Sequence, residues 1–149
     1  MYIEKKEDQS IHYWLVDLFQ DVPFITLVDE FPETLLTIPT ISNDVGRIDM
    51  EDLELGDRTG IRVRNWYIDI FAKTKTQRED FGYRILDALK NGINIYDYDE
   101  GFPPDVTPSK IGHLNVLARS YEPMRVSPDF TDKLYYRATI SFVAVNDKL

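Results

Sequence analysis

The stretch "NWYIDIFAKTKTQREDFGYRILDALKNG", Asn65 to Gly92, changes its period near the middle. Over Ile61–Lys73, Val63, Tyr67 and Phe71 fall on one face and Trp66, Ile68, Ile70 and Ala72 on the other, the two-residue repeat of a strand. Beyond it, Phe81, Ile85, Ala88 and Leu89 make one helical stripe flanked by Tyr83 and Leu86. Thr74 with Gln77, and Thr76 with Glu79, are overlapping capping boxes, and Asn91-Gly92 is a left-handed stop. The spacing predicts a strand that feeds directly into a helix over about 76–90, which crosses back onto the sheet. Both strand faces carry large side chains, so burial is expected on both, under the helix on one side and under something else on the other.

Further elements follow the same logic. "INIYDYD" and "IGHLNVLARSY" (Ile111–Tyr121) read as strands. "KLYYRATISFVAV" (Lys133–Val145) alternates cleanly, with Leu134, Tyr136, Ala138, Ile140, Phe142 and Ala144 on one face. Upstream, Ile11, Leu15, Leu18 and Phe19 define an amphipathic helix over about 10–21, capped by Asp8 or Ser10 and ended by Pro23. "FITLVDEFP" and "TLLTIPTIS" contain prolines and suit edge strands. The chain is expected to be one α+β domain spanning 1–149, a mostly antiparallel sheet with the 76–90 helix on a face and the N-terminal helix beside it.

Composition narrows the function. The 149 residues are 43% hydrophobic and include nine tyrosines and two tryptophans, enough for a core with aromatic sheet faces. No cysteine is present, which excludes disulfides, thiolate metal sites and cysteine nucleophiles. No apolar run approaches the roughly 20 residues of a membrane span, and "MYIEKKEDQS" lacks a signal-type apolar region. A protein made and used in the cytoplasm, or in something assembled there, is expected, with no membrane partner. The net charge of −9 is concentrated in two expected loops. One, over 43–60, carries Asp44, Asp49, Glu51, Asp52, Glu54 and Asp57 against Arg47 and Arg58; the other, over 97–108, carries Asp97, Asp99, Glu100 and Asp105 against no base. A tight nucleic-acid binder needs the opposite, a basic stripe that displaces counterions.

Chemistry-bearing patterns are scarce. His12 and His113 have no ligand-type spacing, and there is no glycine-rich phosphate loop or nucleophile elbow. "DYDEG" (Asp97–Gly101) has the outline of a calcium loop, but Pro108 stands where the bidentate acid belongs and the glycine comes one residue early. "SPDF" (Ser127–Phe130) opens like a metal-nuclease core without the acid-x-Lys pair that must follow. The expectation is no enzyme, no cofactor and no metal.

The order of elements resembles the tail terminator and tail-completion proteins of long-tailed bacteriophages and related head–tail joining proteins. The resemblance rests on Ala72-Lys73-Thr74 closing a strand, Ile85-Leu86-Asp87-Ala88-Leu89 in the helix, Asp129-Phe130 in a loop, and Tyr136-Arg137-Ala138-Thr139-Ile140-Ser141-Phe142 in the last strand. It covers about Ile61 to Val145; the first 60 residues depart from it, with a longer acidic segment. It implies a non-catalytic virion protein of the tail or neck, assembled in the host cytoplasm. The implied form is a homo-hexameric ring that caps the tail tube and meets the head connector while genomic DNA passes without specific binding. On that basis Asp44, Asp49, Glu51, Asp52, Glu54, Asp57, Asp97, Asp99 and Glu100 are expected at the lumen or between rings, and Arg62, Arg64, Arg137, Trp66 and Tyr135 between subunits. Two other readings compete, a protein-binding adaptor domain and, behind it, a metal-dependent hydrolase.

Overall fold

The computed structural model describes residues 1–22, 25–28, 39–51, 61–124 and 136–148; the side chains at 28, 46–51, 61–62 and 148 are not among those described. In chain order the elements are helix α1 (Ile3–Leu18), strands β1 (Thr26–Val28), β2 (Thr40–Glu51) and β3 (Ile61–Ala72), helix α2 (Lys75–Ala88), a 3-10 turn (Leu89–Asn91), and strands β4 (Ile93–Tyr96), β5 (Lys110–Pro123) and β6 (Tyr136–Lys148). The described strands form one six-stranded sheet in the order β1-β2-β3-β6-β5-β4. Only β1 and β2 run parallel; the other neighbours are antiparallel. The fold is α+β.

The strand-to-helix switch lies at Thr74. Its side chain accepts a hydrogen bond from the Gln77 amide at 3.1 Å, and the Gln77 side chain accepts from the Lys73 amide at 2.8 Å. Of the two overlapping boxes, the chain therefore uses the first, which satisfies helix-end donors that would otherwise be orphaned. At the far end Gly92 adopts φ 71°, a conformation that needs glycine. Phe81, Ile85 and Leu89 point into the core. Gly82 lets α2 approach β5 closely, because a Cβ there would stand 2.2 Å from the Tyr121 ring.

The core lies on one face of the sheet. Trp66, Ile68, Ile70 and Ala72 of β3 pack with Ile140, Phe142 and Ala144 of β6, and α1 covers them with Ile11, Leu15 and Phe19. Trp66 stacks on Phe142 at 5.4 Å. A bulge between Val116 and Ala118 lets β5 keep this face despite an odd spacing, so that both Leu114 and Tyr121 turn toward the core and Leu117 is left 63% exposed. The second cover expected over β3 is not found at Tyr67, which is 39% exposed.

Two expectations need correcting. The N-terminal helix begins at Ile3, a full two turns before Ser10, and stops at Leu18. Neither Asp8 nor Ser10 caps it. Instead Arg64, on the core face of β3, is 2% exposed and donates to Glu7 Oε1 at 2.9 Å, Asp8 Oδ1 at 3.1 Å and the Glu4 carbonyl at 3.0 Å. Trp66 Nε1 also donates to Asp8 Oδ1, at 2.9 Å. A buried guanidinium requires partners, and the early turns of α1 supply them. The second correction concerns 43–51, expected as acidic loop. It continues β2, paired with β3 down to Glu51↔Ile61, and the Gly46–Arg47 irregularity is absorbed as a bulge between Val45 and Ile48. Cross-strand pairing outweighs the poor strand preference of Asn, Asp and Gly. Residues 52–60 lie outside the described residues.

Arg64→Ala would remove the Arg64 guanidinium from Glu7, itself 1% exposed. The expected loss is about 3–5 kcal/mol, measured as the fall in unfolding free energy in urea; a loss below about 1 kcal/mol, the range of exposed pairs, refutes a structural role for the pair.

Candidate functional site

Beside the core stripe of α1, Ser10, Tyr13, Trp14 and Asp17 recur at helical spacing; Ser10 and Trp14 face β4 and Asn91 and Gly92, and Tyr13 and Asp17 also face the segment after β4. That segment, 97–109, is closed on itself. Asp97 N–H donates to the Ser109 carbonyl at 2.9 Å, and the Glu100 carboxylate accepts from Ser109 N–H at 2.7 Å and Ser109 Oγ at 2.9 Å. Gly101, at φ 134°, lets Val106 fold against it. The loop is tied to α1 by charge: Lys6 Nζ sits 2.8 Å from Asp97 and 2.9 Å from Asp99, and the Met1 amino group lies 3.0 Å from Asp99. Ser10 Oγ donates to the Lys6 carbonyl and accepts from the Tyr96 amide at 3.1 Å, fixing β4 to the same helix.

Aromatic rings fill the seam. Tyr13 stacks on Tyr98 at 5.4 Å and Tyr98 on Phe102 at 5.5 Å. Burial pushes the Tyr98 hydroxyl above its usual pKa. Beside the rings runs a groove in two adjoining parts. One, about 440 Å³, lies between Tyr13 and Val16 and the prolines 103, 104 and 108; the other, about 340 Å³, continues past Trp14 to Asn94 and His113. Tyr13, Asp17 and Tyr96 border both.

A second feature is the pair of sheet edges. β4 pairs only with Lys110–Leu114 of β5, so among the described residues no strand lies outside Asn115–Pro123. β1 pairs only with Thr40–Ser42, so the same holds outside Asn43–Glu51 of β2. Away from the helices the sheet exposes Tyr67, with Ser120 and Ser141 hydrogen-bonded across β5 and β6 at 2.7 Å. Among the described residues no group of three His, Cys, Asp or Glu side chains is placed to hold a metal ion, and no helix is long and apolar enough to cross a membrane.

The residues singled out from the sequence scatter over this architecture. Arg64 and Trp66, expected between subunits, are engaged inside the subunit, where the core closes over them. Arg137 is 3.2 Å from Asp69, which also accepts from Thr139 Oγ1 at 2.7 Å, and its guanidinium lies 5.1 Å over the Phe71 ring. Asp97, Asp99 and Glu100 are drawn together by the closed loop, each with the partners given above. Asp44 is exposed on β2 and accepts from the Val45 amide. Asp49, Glu51 and Arg62 fall on strands whose side chains are not described, and Asp52, Glu54, Asp57 and Tyr135 lie outside the described residues, as does the "SPDF" loop. The groove itself was not anticipated. Its signal was a second stripe on α1, Tyr13, Trp14 and Asp17, beside the core stripe.

No family model matches the chain, and no curated protein does. Among solved structures it is similar to a chain in the virion of a native gene transfer agent particle, at 14% identity and a TM-score of 0.52. The match covers 99% of this chain and 98% of that one. The two share a fold.

The charge clamp makes a pH prediction. Hydrogen bonds from Lys6 hold the Asp97 and Asp99 carboxyls below the usual 3.8, and those same bonds, Asp97 first, raise Lys6 above 10.5. The carboxylate contribution is present above 3.8 and lost as pH falls through the lowered values; the lysine contribution is present below 10.5 and lost as pH rises through the raised one. The clamp therefore holds throughout the neutral range. In Lys6→Gln the carboxyl titration midpoints of Asp97 and Asp99, followed by carbon NMR, are expected to rise part of the way toward 3.8, because Asp97 keeps the Asp99 amide and Asp99 keeps the amino group of Met1. Unchanged midpoints refute the clamp.

Proposed function

We propose that this chain is a non-catalytic structural subunit of a phage-like virion, forming a ring at the tail or neck that caps the tail tube and meets the head connector. The observation that carries this reading is the end-to-end likeness to a virion chain of nearly equal extent. A shared fold by itself does not dictate function, so the geometry must also suit assembly, and it does. A subunit with two partly open edges, along β2 and β5, offers two different surfaces, the requirement for a head-to-tail contact that repeats around a ring. Edge strands left unpaired are templates for another chain. The large side chain at the β5 edge, Leu117, is solvent-exposed in the single subunit.

The charge pattern suits a conduit. Acidic walls repel phosphates, so DNA passes without adhering. The acids of the β2–β3 hairpin, Asp44, Asp49 and Glu51 with Asp52, Glu54 and Asp57 beyond them, are the group we place at the lumen or against the next ring. Asp97 and Asp99 are less suited, since Lys6 already balances them. For the subunit boundary we place the β5 edge, in preference to Arg64 and Trp66.

Sedimentation of the purified protein at rising concentration, read with negative-stain images, is expected to reveal a closed ring, near six times the 17.4 kDa subunit. Smaller species at every concentration, together with no ring in the presence of tail tubes, overturn the reading. Leu117→Lys is expected to retain the circular dichroism of the parent and to reduce the ring population, because a lysine on an edge opposes pairing; undiminished assembly removes β5 from the boundary.

A further inference from the structure

The groove beside α1 has no part in the ring just described, yet it is built like a binding site. Ser10 and Asp17 bracket it seven residues apart on one helix face, so it follows α1 for about 10 Å at ~1.5 Å per residue. That length accommodates about three residues of extended chain at ~3.3 Å each. Its two parts, about 440 and 340 Å³, each fall within the range of roughly 300–1,000 Å³ usual for ligand sites. One wall is aromatic, from Tyr13 and Tyr98, and the other is the proline wall of the closed loop. Such rigid surfaces bind an extended peptide without having to be ordered first.

The charge of the groove selects the occupant. None of the lining residues is Lys or Arg. Asp17 borders both parts, is exposed, and has no hydrogen bond or ion pair to its side chain among the described residues. The nearby cation, Lys6, is already held by Asp97 and Asp99. Tyrosine ring faces are themselves negative and attract guanidinium groups. We propose that this groove docks an extended, arginine-bearing peptide segment of a protein partner, with the guanidinium set between the Asp17 carboxylate and the half-buried Tyr13 and Tyr96 rings that border both parts and the rest of the segment along the proline wall. The proposal stands apart from the ring: it concerns the isolated subunit and is tested on it.

The test uses the full chain and two fluorescein-labelled octapeptides, one alternating proline with arginine and one alternating proline with glutamate, followed by fluorescence anisotropy. Saturable binding of the arginine peptide alone is expected. Asp17→Asn should weaken it by about tenfold, the scale of a lost hydrogen bond to a charged group. Asp80→Asn, which removes an equal charge from an exposed position on α2 outside the groove, should change it less than about twofold. Val16→Arg, at a position that lines the groove and is 38% exposed, should also weaken binding by placing the chain's own cation there. Circular dichroism confirms that each variant is folded. Equal weakening by the Asp17 and Asp80 variants would mean general attraction to an acidic protein and would overturn the proposal. So would equal binding of both peptides, or no saturable binding at all.

Discussion

The buried guanidinium of Arg64 constrains most of what surrounds it. A strand residue on the core face cannot carry an uncompensated charge. Its partners come from a single place, the first two turns of α1, where Glu7 and Asp8 offer carboxylates and Glu4 a carbonyl. Their presence fixes both the rotation of α1 and its position along β3. Once that is fixed, Ile11, Leu15 and Phe19 are turned to the core, and Lys6, Ser10, Tyr13 and Asp17 are turned to β4 and the loop that follows it. The ion network and the apolar stripe thus specify one placement of the helix, and the groove is its by-product.

Local signals that agreed with the tertiary environment were legible in the sequence. The change of period within 73–76, one of the two overlapping capping boxes and the alternation of Ala138, Ile140, Phe142 and Ala144 all appear in the structure, with the helix starting at Lys75, one residue ahead of the expected 76. Failures came where long-range contacts override local preference. The turns of α1 before Ser10 are polar on the surface of the sequence, and nothing local says that Arg64, some 57 residues away from Glu7, needs them. Acids and glycine in 43–51 look like loop, yet a neighbouring strand recruits them into the sheet. The groove was invisible for a similar reason. Tyr13 and Asp17 gain meaning only when the proline-bearing loop folds over beside them.

Arg64 and Trp66 also show that a charge and an aromatic ring in a strand can be satisfied within one chain. Each has a polar head that asks for a partner, and an internal carboxylate satisfies it as well as a neighbouring chain would. The open main-chain edges along β2 and β5 are less conspicuous in the sequence, set by how short β1 and β4 are. Edge length is a property of pairing, and residue identity conveys little of it.

The closure of the 97–109 segment carries a final consequence. Asp97, Glu100 and Ser109 latch its two ends together, and Lys6 secures its base, so the exposed tip is held by the loop itself and not by the sheet. The exposed residues there, Pro103 and Pro104 included, can be exchanged with little penalty to the remainder, whereas Tyr98, buried against Tyr13, and Pro108 cannot. The fold thereby keeps the exposed tip of this loop apart from the sheet-and-helix chassis, and the two can vary separately.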